Sequence, residues 1–150
     1  MNRVFITGAS SGLGRALAQQ YAASGATLGL LGRREDALRE LAASLPGEHR
    51  CYAVDVRDRA ALHAAAADFI AFCQGRVDVV IASAGISAGT LTEHGEDYDV
   101  FKAIVDTNLL ATVATFEPFV GAMRAAGAGR LVGIALSLIH ISEPTRLRRI

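Results

Sequence analysis

A glycine-rich octapeptide at residues 7–14, T-G-A-S-S-G-L-G, constrains the fold of this chain more than any other feature. It follows a short apolar run at residues 4–7, which has the length of a buried strand. Apolar residues then recur at helical spacing until Gly25. Glycine allows the backbone to turn sharply between two such elements. The segment therefore predicts a strand, a tight turn and a helix, in that order.

The same alternation of short apolar runs and amphipathic segments continues through residue 135. The predicted strands are residues 4–7, 26–31, 51–54, 77–82 and 130–135. After the first helix, further helices are predicted at residues 35–45, 60–73 and 97–123, with Pro118 expected to break or kink the last. Continuously apolar strands separated by helices indicate a parallel sheet covered on both faces. With right-handed crossovers this predicts an α/β fold, a Rossmann-like doubly wound parallel sheet.

Composition and charge exclude several classes of protein. The 15 basic and 15 acidic side chains give a formal net charge of zero, which disfavours a nucleic-acid partner. No apolar run has membrane-spanning length, and Met1 leads into the first strand without a signal peptide, so we expect a cytoplasmic protein without a membrane partner. The histidines show no metal-ligand spacing, and Cys51 and Cys73 are expected to be buried, reduced thiols.

The position of the glycine-rich turn favours binding of a nucleotide. Glycines let a pyrophosphate approach the backbone, and the N-terminus of the following helix supplies free N–H groups for the anion. An ordinary strand-to-helix turn is the alternative interpretation. The strand before the turn and the helix after it are the context that phosphate binding requires, so the sequence favours the nucleotide site.

Five segments, taken in order, resemble the short-chain dehydrogenase/reductase family. The turn has G-x-x-x-G-x-G spacing, Asp55-Val56 follows the third strand, and residues 82–85 (A-S-A-G) resemble the family's N-N-A-G, with both asparagines replaced. Asn108 lies in a helical D-T-N-L, and residues 129–135 resemble the strand that leads to the catalytic serine. The resemblance implies an oxidoreductase that transfers hydride between a nicotinamide cofactor and an alcohol or carbonyl substrate. The cofactor-binding residues that it implies are Thr7, Gly8, Ser10, Ser11, Gly12, Leu13, Gly14, Asp55, Val56, Ala84 and Gly85.

The end of the second strand predicts which nicotinamide cofactor is bound. An acidic residue there accepts hydrogen bonds from the adenosine ribose in NAD enzymes, whereas arginine accommodates the 2′-phosphate of NADP. Arg33 and Arg34 occupy this position and predict NADP. The alternative is that these arginines only solvate the start of a helix and that Glu35 or Asp36 reaches the ribose, which would favour NAD.

One catalytic residue of the family can be placed in this chain. The family uses a tyrosine as general acid/base, a lysine four residues later, a serine and an asparagine; Asn108 matches the asparagine, although it could instead bond across a helix kink. The serine position falls at Leu136, which has no hydroxyl group. Tyr98 and Lys102 have the required spacing but precede the fifth strand, so they are interpreted as a surface or groove-edge pair.

The end of the sequence changes character. Residues 136–146, L-S-L-I-H-I-S-E-P-T-R, resemble translated transposase sequencing-adaptor DNA. Residues 1–135 are therefore interpreted as an incomplete NAD(P)-binding domain, truncated after the fifth strand, and residues 136–150 as a non-native tail. The chain is expected to be an inactive, poorly stable fragment of a parent that binds a small-molecule substrate and forms a homo-oligomer. The alternatives are a non-catalytic nucleotide-binding regulator, or an interaction module with a dimer face on residues 97–123.

Overall fold

The computed structural model describes residues 2–88, 94–95 and 97–134, and shows one parallel five-stranded sheet. Its strand order is β3-β2-β1-β4-β5. The strands are β1 (Arg3–Thr7), β2 (Thr27–Gly32), β3 (His49–Ala53), β4 (Val79–Ala82) and β5 (Arg130–Gly133). The predicted α/β fold is confirmed, with strand ends shifted by one or two residues. The predictions for residues 135–150 lie outside the described residues.

Within the described residues, five α-helices connect successive strands. They are α1 (Gly12–Ala23), α2 (Glu35–Ser44), α3 (Arg59–Phe72), α4 (Asp97–Val105) and α5 (Ala111–Ala126). Local sequence explains where two of them begin: acidic Glu35 and Asp36 stand in the first turn of α2, at the positive end of its dipole. At the start of α3, the carboxylate of Asp58 accepts a hydrogen bond from the N–H of Ala61 at 3.0 Å.

The sheet is covered on two faces because alternate residues of each strand point to opposite sides. On β1, Val4 and Ile6 pack with α1 and α2, whereas Phe5 packs with α3 and α5. On β4, Val79 and Ile81 belong to the core on the side of α1 and α2, and Val80 belongs to the core on the side of α3 and α5. The edge strand β5 departs from the prediction of full coverage, since all four of its residues are exposed.

The core under α3 and α5 is built around aromatic rings. The ring of Phe5 lies 4.9 Å from that of Phe119, 5.5 Å from that of Phe69 and 5.9 Å from that of Tyr52, measured between centroids. Gly29 on the neighbouring β2 leaves the space for this cluster: a Cβ there would lie 2.6 Å from Cδ2 of Phe5 and 2.8 Å from Cδ2 of Phe69. The glycine inside this strand therefore permits a close approach of two buried rings.

The predicted helix at residues 97–123 is interrupted, but not at Pro118. The irregular turn is a π-helical segment, Asp106–Leu110, between α4 and α5. Pro118 lies inside α5 and has no N–H to offer the carbonyl of Ala114. The Nε2 of His63 lies 3.2 Å from that oxygen and takes the place of the missing donor. The helix therefore continues past the proline because a neighbouring helix satisfies the carbonyl that the proline leaves unpaired.

Both cysteines are free thiols. Cys73 is buried and Cys51 is half-buried, so the expectation of burial is only partly met. Burial raises the pKa of the Cys73 thiol to about 11, which keeps it protonated and unreactive near neutral pH.

Candidate functional site

A cleft of about 830 Å³ opens at the carboxyl ends of the central strands. The chain runs outward from β1 to β3 and then returns to β4 on the other side of β1. Such a reversal in strand order is where doubly wound folds bind their ligands. The cleft is lined by Gly8, Ser10, Ser11, Gly12, Leu13, Gly14, Gly32, Arg33, Arg34, Val54, Asp55, Val56, Arg57, Ser83, Ala84, Gly85, Ile86, Ser87, Thr107, Asn108 and Ile134.

Each of the three positions in the turn is occupied by glycine for a different structural reason. A Cβ on Gly8 would lie 2.8 Å from the backbone nitrogen of Ala84, in the loop after β4. A Cβ on Gly14 would overlap the carbonyl oxygen of Gly8, so only glycine lets α1 pack this closely on the turn. Gly12 has a φ of +54° and open space where its Cβ would be. Two glycines thus close the turn, and the third leaves its outer side bare.

The start of α1 is suited to an anionic group. The side chain of Ser11, the residue before the helix, makes no capping hydrogen bond, and the first turn contains no acidic residue. The first N–H groups of a helix lack intrahelical partners and carry a partial positive charge. Together with the bare side of Gly12, they form a cradle that a side chain would fill and that fits a pyrophosphate.

Thr7 is the last residue of β1 and directly precedes the glycine-rich turn. It is 1% exposed and does not line the cleft. Its Oγ1 accepts hydrogen bonds from the N–H groups of Ser83 at 3.2 Å and Ala84 at 3.3 Å. The hydroxyl group therefore ties the end of β1 to the loop after β4.

Asn108 lies in the π-helical segment and holds the same loop through its side chain. Its Oδ1 accepts a hydrogen bond from the N–H of Ile86, and its Nδ2 donates one to the carbonyl of Ile86, both at 2.9 Å. Its own carbonyl accepts a hydrogen bond from the hydroxyl of Thr112 at 2.9 Å. The side-chain amide is therefore engaged by the backbone of the loop after β4 and not by the helix in which Asn108 lies.

The two arginines after β2 have different surroundings. Arg34 donates a hydrogen bond from Nη2 to the carbonyl oxygen of Ser10 at 3.1 Å, which anchors it to the glycine-rich turn. Arg33 is exposed, lines the cleft and makes no hydrogen bond or ion pair to any residue that the structure describes. Gly32, just before it, carries no side chain, and a Cβ there would lie 3.2 Å from Oγ of Ser10. A close approach of the glycine-rich turn to β2 and an available guanidinium group thus coincide at the end of β2.

Asp55 and Arg57 form an ion pair in the lining of the cleft, after the neighbouring strand β3. The Nη2 of Arg57 lies 2.6 Å from Oδ2 of Asp55, and its Nε lies 3.1 Å from Oδ1. These hydrogen bonds from Arg57 lower the pKa of Asp55 to about 2, against the opposing effect of partial burial. The carboxylate is therefore ionised throughout the neutral range.

The structure brings almost all of the sequence-predicted site residues around this one cleft. Thr7 is the exception, since it lies beneath the lining. The lining residues are Gly8, Ser10, Ser11, Gly12, Leu13, Gly14, Arg33, Arg34, Asp55, Val56, Ala84, Gly85 and Asn108. Their roles toward a cofactor stay predictions.

Sequence reasoning missed several other lining residues, including Gly32, Arg57, Ile86 and Thr107. Gly32 could have been found as the last residue of its strand, and Arg57 by its spacing of two from Asp55. For Ile86 and Thr107 the sequence carries no comparable signal, because an apolar residue in a loop and a threonine in a helix are common.

Tyr98 and Lys102 do not line the cleft. Tyr98 is 70% exposed. The Nζ of Lys102 pairs with Oδ2 of Asp106 at 2.6 Å. They occupy the surface, as the sequence interpretation expected.

Within the part of the chain that the structure describes, none of the helices combines the length and the hydrophobicity of a membrane-spanning segment. Among the same residues, no three His, Cys, Asp or Glu side chains come together as metal ligands.

Comparison with known proteins gives consistent matches. The sequence profile described as short chain dehydrogenase matches residues 2–140. The chain is 39% identical over 153 aligned residues to dehydrogenase/reductase SDR family member 7B of Bos taurus, covering 95% of this chain and 46% of that protein. It is 36% identical over 130 residues to a 2-dehydro-3-deoxy-L-rhamnonate dehydrogenase (NAD(+)) of Sphingomonas, covering 87% and 51%.

A solved structure of a metagenomic short-chain oxidoreductase in complex with NADP has a TM-score of 0.75 and 31% identity. The match covers 85% of this chain and 59% of that one. The chain spans about half the length of the curated relatives it matches. Because the family profile covers nearly all of the sequence and the fold agrees, the chain belongs to the short-chain dehydrogenase family.

Proposed function

We propose that this chain is the cofactor-binding part of an NADP-dependent oxidoreductase that interconverts an alcohol and a carbonyl compound. The observation that carries the proposal is the cleft at the reversal of strand order, where a glycine cradle and an available arginine lie together. When bound, the cofactor would exchange hydride with the substrate: NADPH would donate it to a carbonyl compound, and NADP+ would accept it from an alcohol. The chain's own residues bind and orient it: the start of α1 receives the pyrophosphate, and the end of β2 receives the adenosine ribose.

Arg33 is proposed as the ligand of the 2′-phosphate, and Arg34 as the support of the turn. Arg33 is exposed beside the cleft, whereas Arg34 is bonded to the backbone of Ser10. Glu35 and Asp36, the alternative that would favour NAD, do not line the cleft, and Glu35 pairs with Arg39 of the same helix. The NADP named with the metagenomic relative is in line with this assignment, although the Sphingomonas relative is named for NAD(+).

The cofactor assignment is tested with two matched arginine variants. NADPH and NADH are titrated against the parent, Arg33→Ala and Arg34→Ala, with nicotinamide fluorescence as the signal. Arg33→Ala should bind NADPH about tenfold or more weakly than the parent, because it loses a charge-assisted contact to the phosphate, and its affinity for NADH should change little. Arg34→Ala should weaken both dinucleotides alike, since it acts on the turn. A parent chain that binds NADH as tightly as NADPH would contradict the proposal.

We propose that this chain does not turn over substrate on its own. Asn108 is the one residue of the catalytic set that it offers, and the hydrogen bonds to Ile86 support a role in shaping the cleft. Leu136 stands at the serine position, and residues 136–150 are proposed to be a non-native tail on the incomplete domain of residues 1–135. Sequencing the source locus beyond codon 135 tests this: a serine codon at 136 and a later Y-x-x-x-K are expected. If the locus encodes residues 136–150 as they stand, the proposal that the tail is non-native is overturned.

The intact parent is proposed to be a homo-oligomer that acts on a small-molecule substrate. Large apolar side chains are exposed along the π-helical segment and α5: Leu109 is 59% exposed, Val113 55% and Val120 38%. Their spacing of four and seven residues places them on one helical face, and Phe101 of α4 adds an exposed ring. Such a stripe fits a helix-to-helix contact between subunits. Sedimentation velocity of the intact parent tests this, because a monomer that persists at all concentrations would refute it.

A further inference from the structure

The ion pair of Asp55 and Arg57 is held by its backbone as well as its side chains. The N–H of Arg57 donates to Oδ1 of Asp55 at 2.9 Å, and the N–H of Asp58 donates to the carbonyl of Asp55 at the same distance. Asp58 then caps α3. The segment between β3 and α3 is therefore a closed turn, and its backbone holds one oxygen, Oδ1, of the Asp55 carboxylate.

The guanidinium group of Arg57 engages both oxygens of that carboxylate. Its Nε lies 3.1 Å from Oδ1 and 3.2 Å from Oδ2, and its Nη2 lies 2.6 Å from Oδ2. The side chain of Asp55 remains 31% exposed. A carboxylate has about four acceptor positions, and three N–H groups of Arg57 (the backbone N–H, Nε and Nη2) occupy about three of them, so about one position is left for a ligand in the cleft.

A second pair with the same spacing shows what is particular here. Arg76 and Asp78 lie outside this cleft, at the opposite end of the sheet, and Arg76 contacts one oxygen, Oδ1, at 3.0 Å. The other oxygen of Asp78 accepts the N–H of Arg3. The carboxylate of Asp78 is thus held by two separate segments outside the cleft and is 17% exposed, whereas the carboxylate of Asp55 is held by one residue and lines the cleft.

We propose that Arg57 is a positioning residue for recognition of the cofactor's base: it holds the Asp55 carboxylate in place to accept a hydrogen bond from the exocyclic amino group of adenine. The inference rests on the proposed binding of a dinucleotide in this cleft. Without the guanidinium group, the backbone N–H of residue 57 still holds Oδ1, but Oδ2 loses both of its donors and can turn toward Arg33, the other cation that acts on the carboxylate electrostatically. The base would then lose a fixed acceptor, although the phosphate contacts would remain.

The test compares two dinucleotides that differ at that amino group. NADPH and reduced nicotinamide hypoxanthine dinucleotide phosphate, which has a carbonyl oxygen there, are titrated by fluorescence against the full chain. The parent should prefer NADPH, and Arg57→Gln should lower that preference about threefold to tenfold, the value of one oriented hydrogen bond. Arg76→Gln is the matched control and should leave the preference unchanged. Arg57→Lys, which keeps the charge without the fork, should also lower it.

The outcomes separate this inference from the function on which it rests. A parent chain that binds neither dinucleotide overturns the proposed function and this inference together. Binding with equal affinity for the two bases, or a preference that survives both Arg57 substitutions, overturns the role of Arg57 alone. A merely structural role would weaken both dinucleotides equally, so the ratio of the two dissociation constants is the decisive quantity.

Discussion

Replacing Gly29 by alanine tests the packing of the aromatic core against a control of identical chemistry. Gly29 lies in the middle of β2, and its missing Cβ is the space that Phe5 and Phe69 occupy. Gly121 lies in α5, where an added Cβ would meet nothing within 4 Å. The same methyl group is therefore expected to destabilise the protein at one site and to stabilise it at the other.

The magnitudes follow from these surroundings. A Cβ on Gly29 would lie 2.6 Å from one ring and 2.8 Å from the other, and both rings are 0% exposed and packed on further aromatic residues. Overpacking of this kind costs about 1–3 kcal/mol. Gly121→Ala should increase the free energy of unfolding by about 0.5–1 kcal/mol, because alanine has the higher helix propensity. The two variants should thus differ by about 1.5–4 kcal/mol, a large part of the stability of a small domain.

Urea denaturation provides the measurement. The chain has no tryptophan, so unfolding is followed by far-ultraviolet circular dichroism. The midpoint should fall for Gly29→Ala and rise for Gly121→Ala, with unchanged slopes. An equal or higher midpoint for Gly29→Ala would refute the argument that the two rings need this space.

Three further predictions concern single interactions. His63→Ala should lower the free energy of unfolding by about 1–3 kcal/mol, because it leaves the Ala114 carbonyl unpaired. The double variant with Pro118→Ala should recover stability in urea denaturation, because residue 118 then has an N–H for that carbonyl. No recovery would contradict this account. Asn108→Ala should speed hydrogen exchange of the Ile86 amide about tenfold, since it removes the acceptor at 2.9 Å, and unchanged exchange would argue against the anchor. Burial of Asp78 disfavours its charged form, but hydrogen bonds from the N–H of Arg3 and the side chain of Arg76 outweigh burial and lower the pKa of the carboxyl group. The ionised carboxylate therefore stabilises the fold above about pH 4, and this contribution is lost as the pH falls further. The stability deficit of Asp78→Asn should therefore shrink in acid-range thermal melts, and a deficit independent of pH would disprove the linkage.

Much of the cleft was predictable from short stretches of sequence. The glycine spacing, Asp55-Val56 after β3 and the arginines after β2 each lie at the carboxyl end of a predicted strand. Parallel strands bring those ends to one edge of the sheet, so the sequence pattern also predicts that these residues meet. The helix with Pro118 was predicted less well, because the donor that keeps it intact, His63, comes from another helix.

The sequence by itself determined the α/β fold and the place of the site, since apolar periodicity and glycine turns are local properties of the chain. Only the tertiary structure decided what each side chain does there. Arg34 differs from Arg33 in that it contacts Ser10, and Asn108 is hydrogen-bonded to Ile86, 22 residues away in the sequence. Such assignments depend on distances between segments that are remote in the chain, and hydrogen bonds form only when those segments come within about 3 Å of each other.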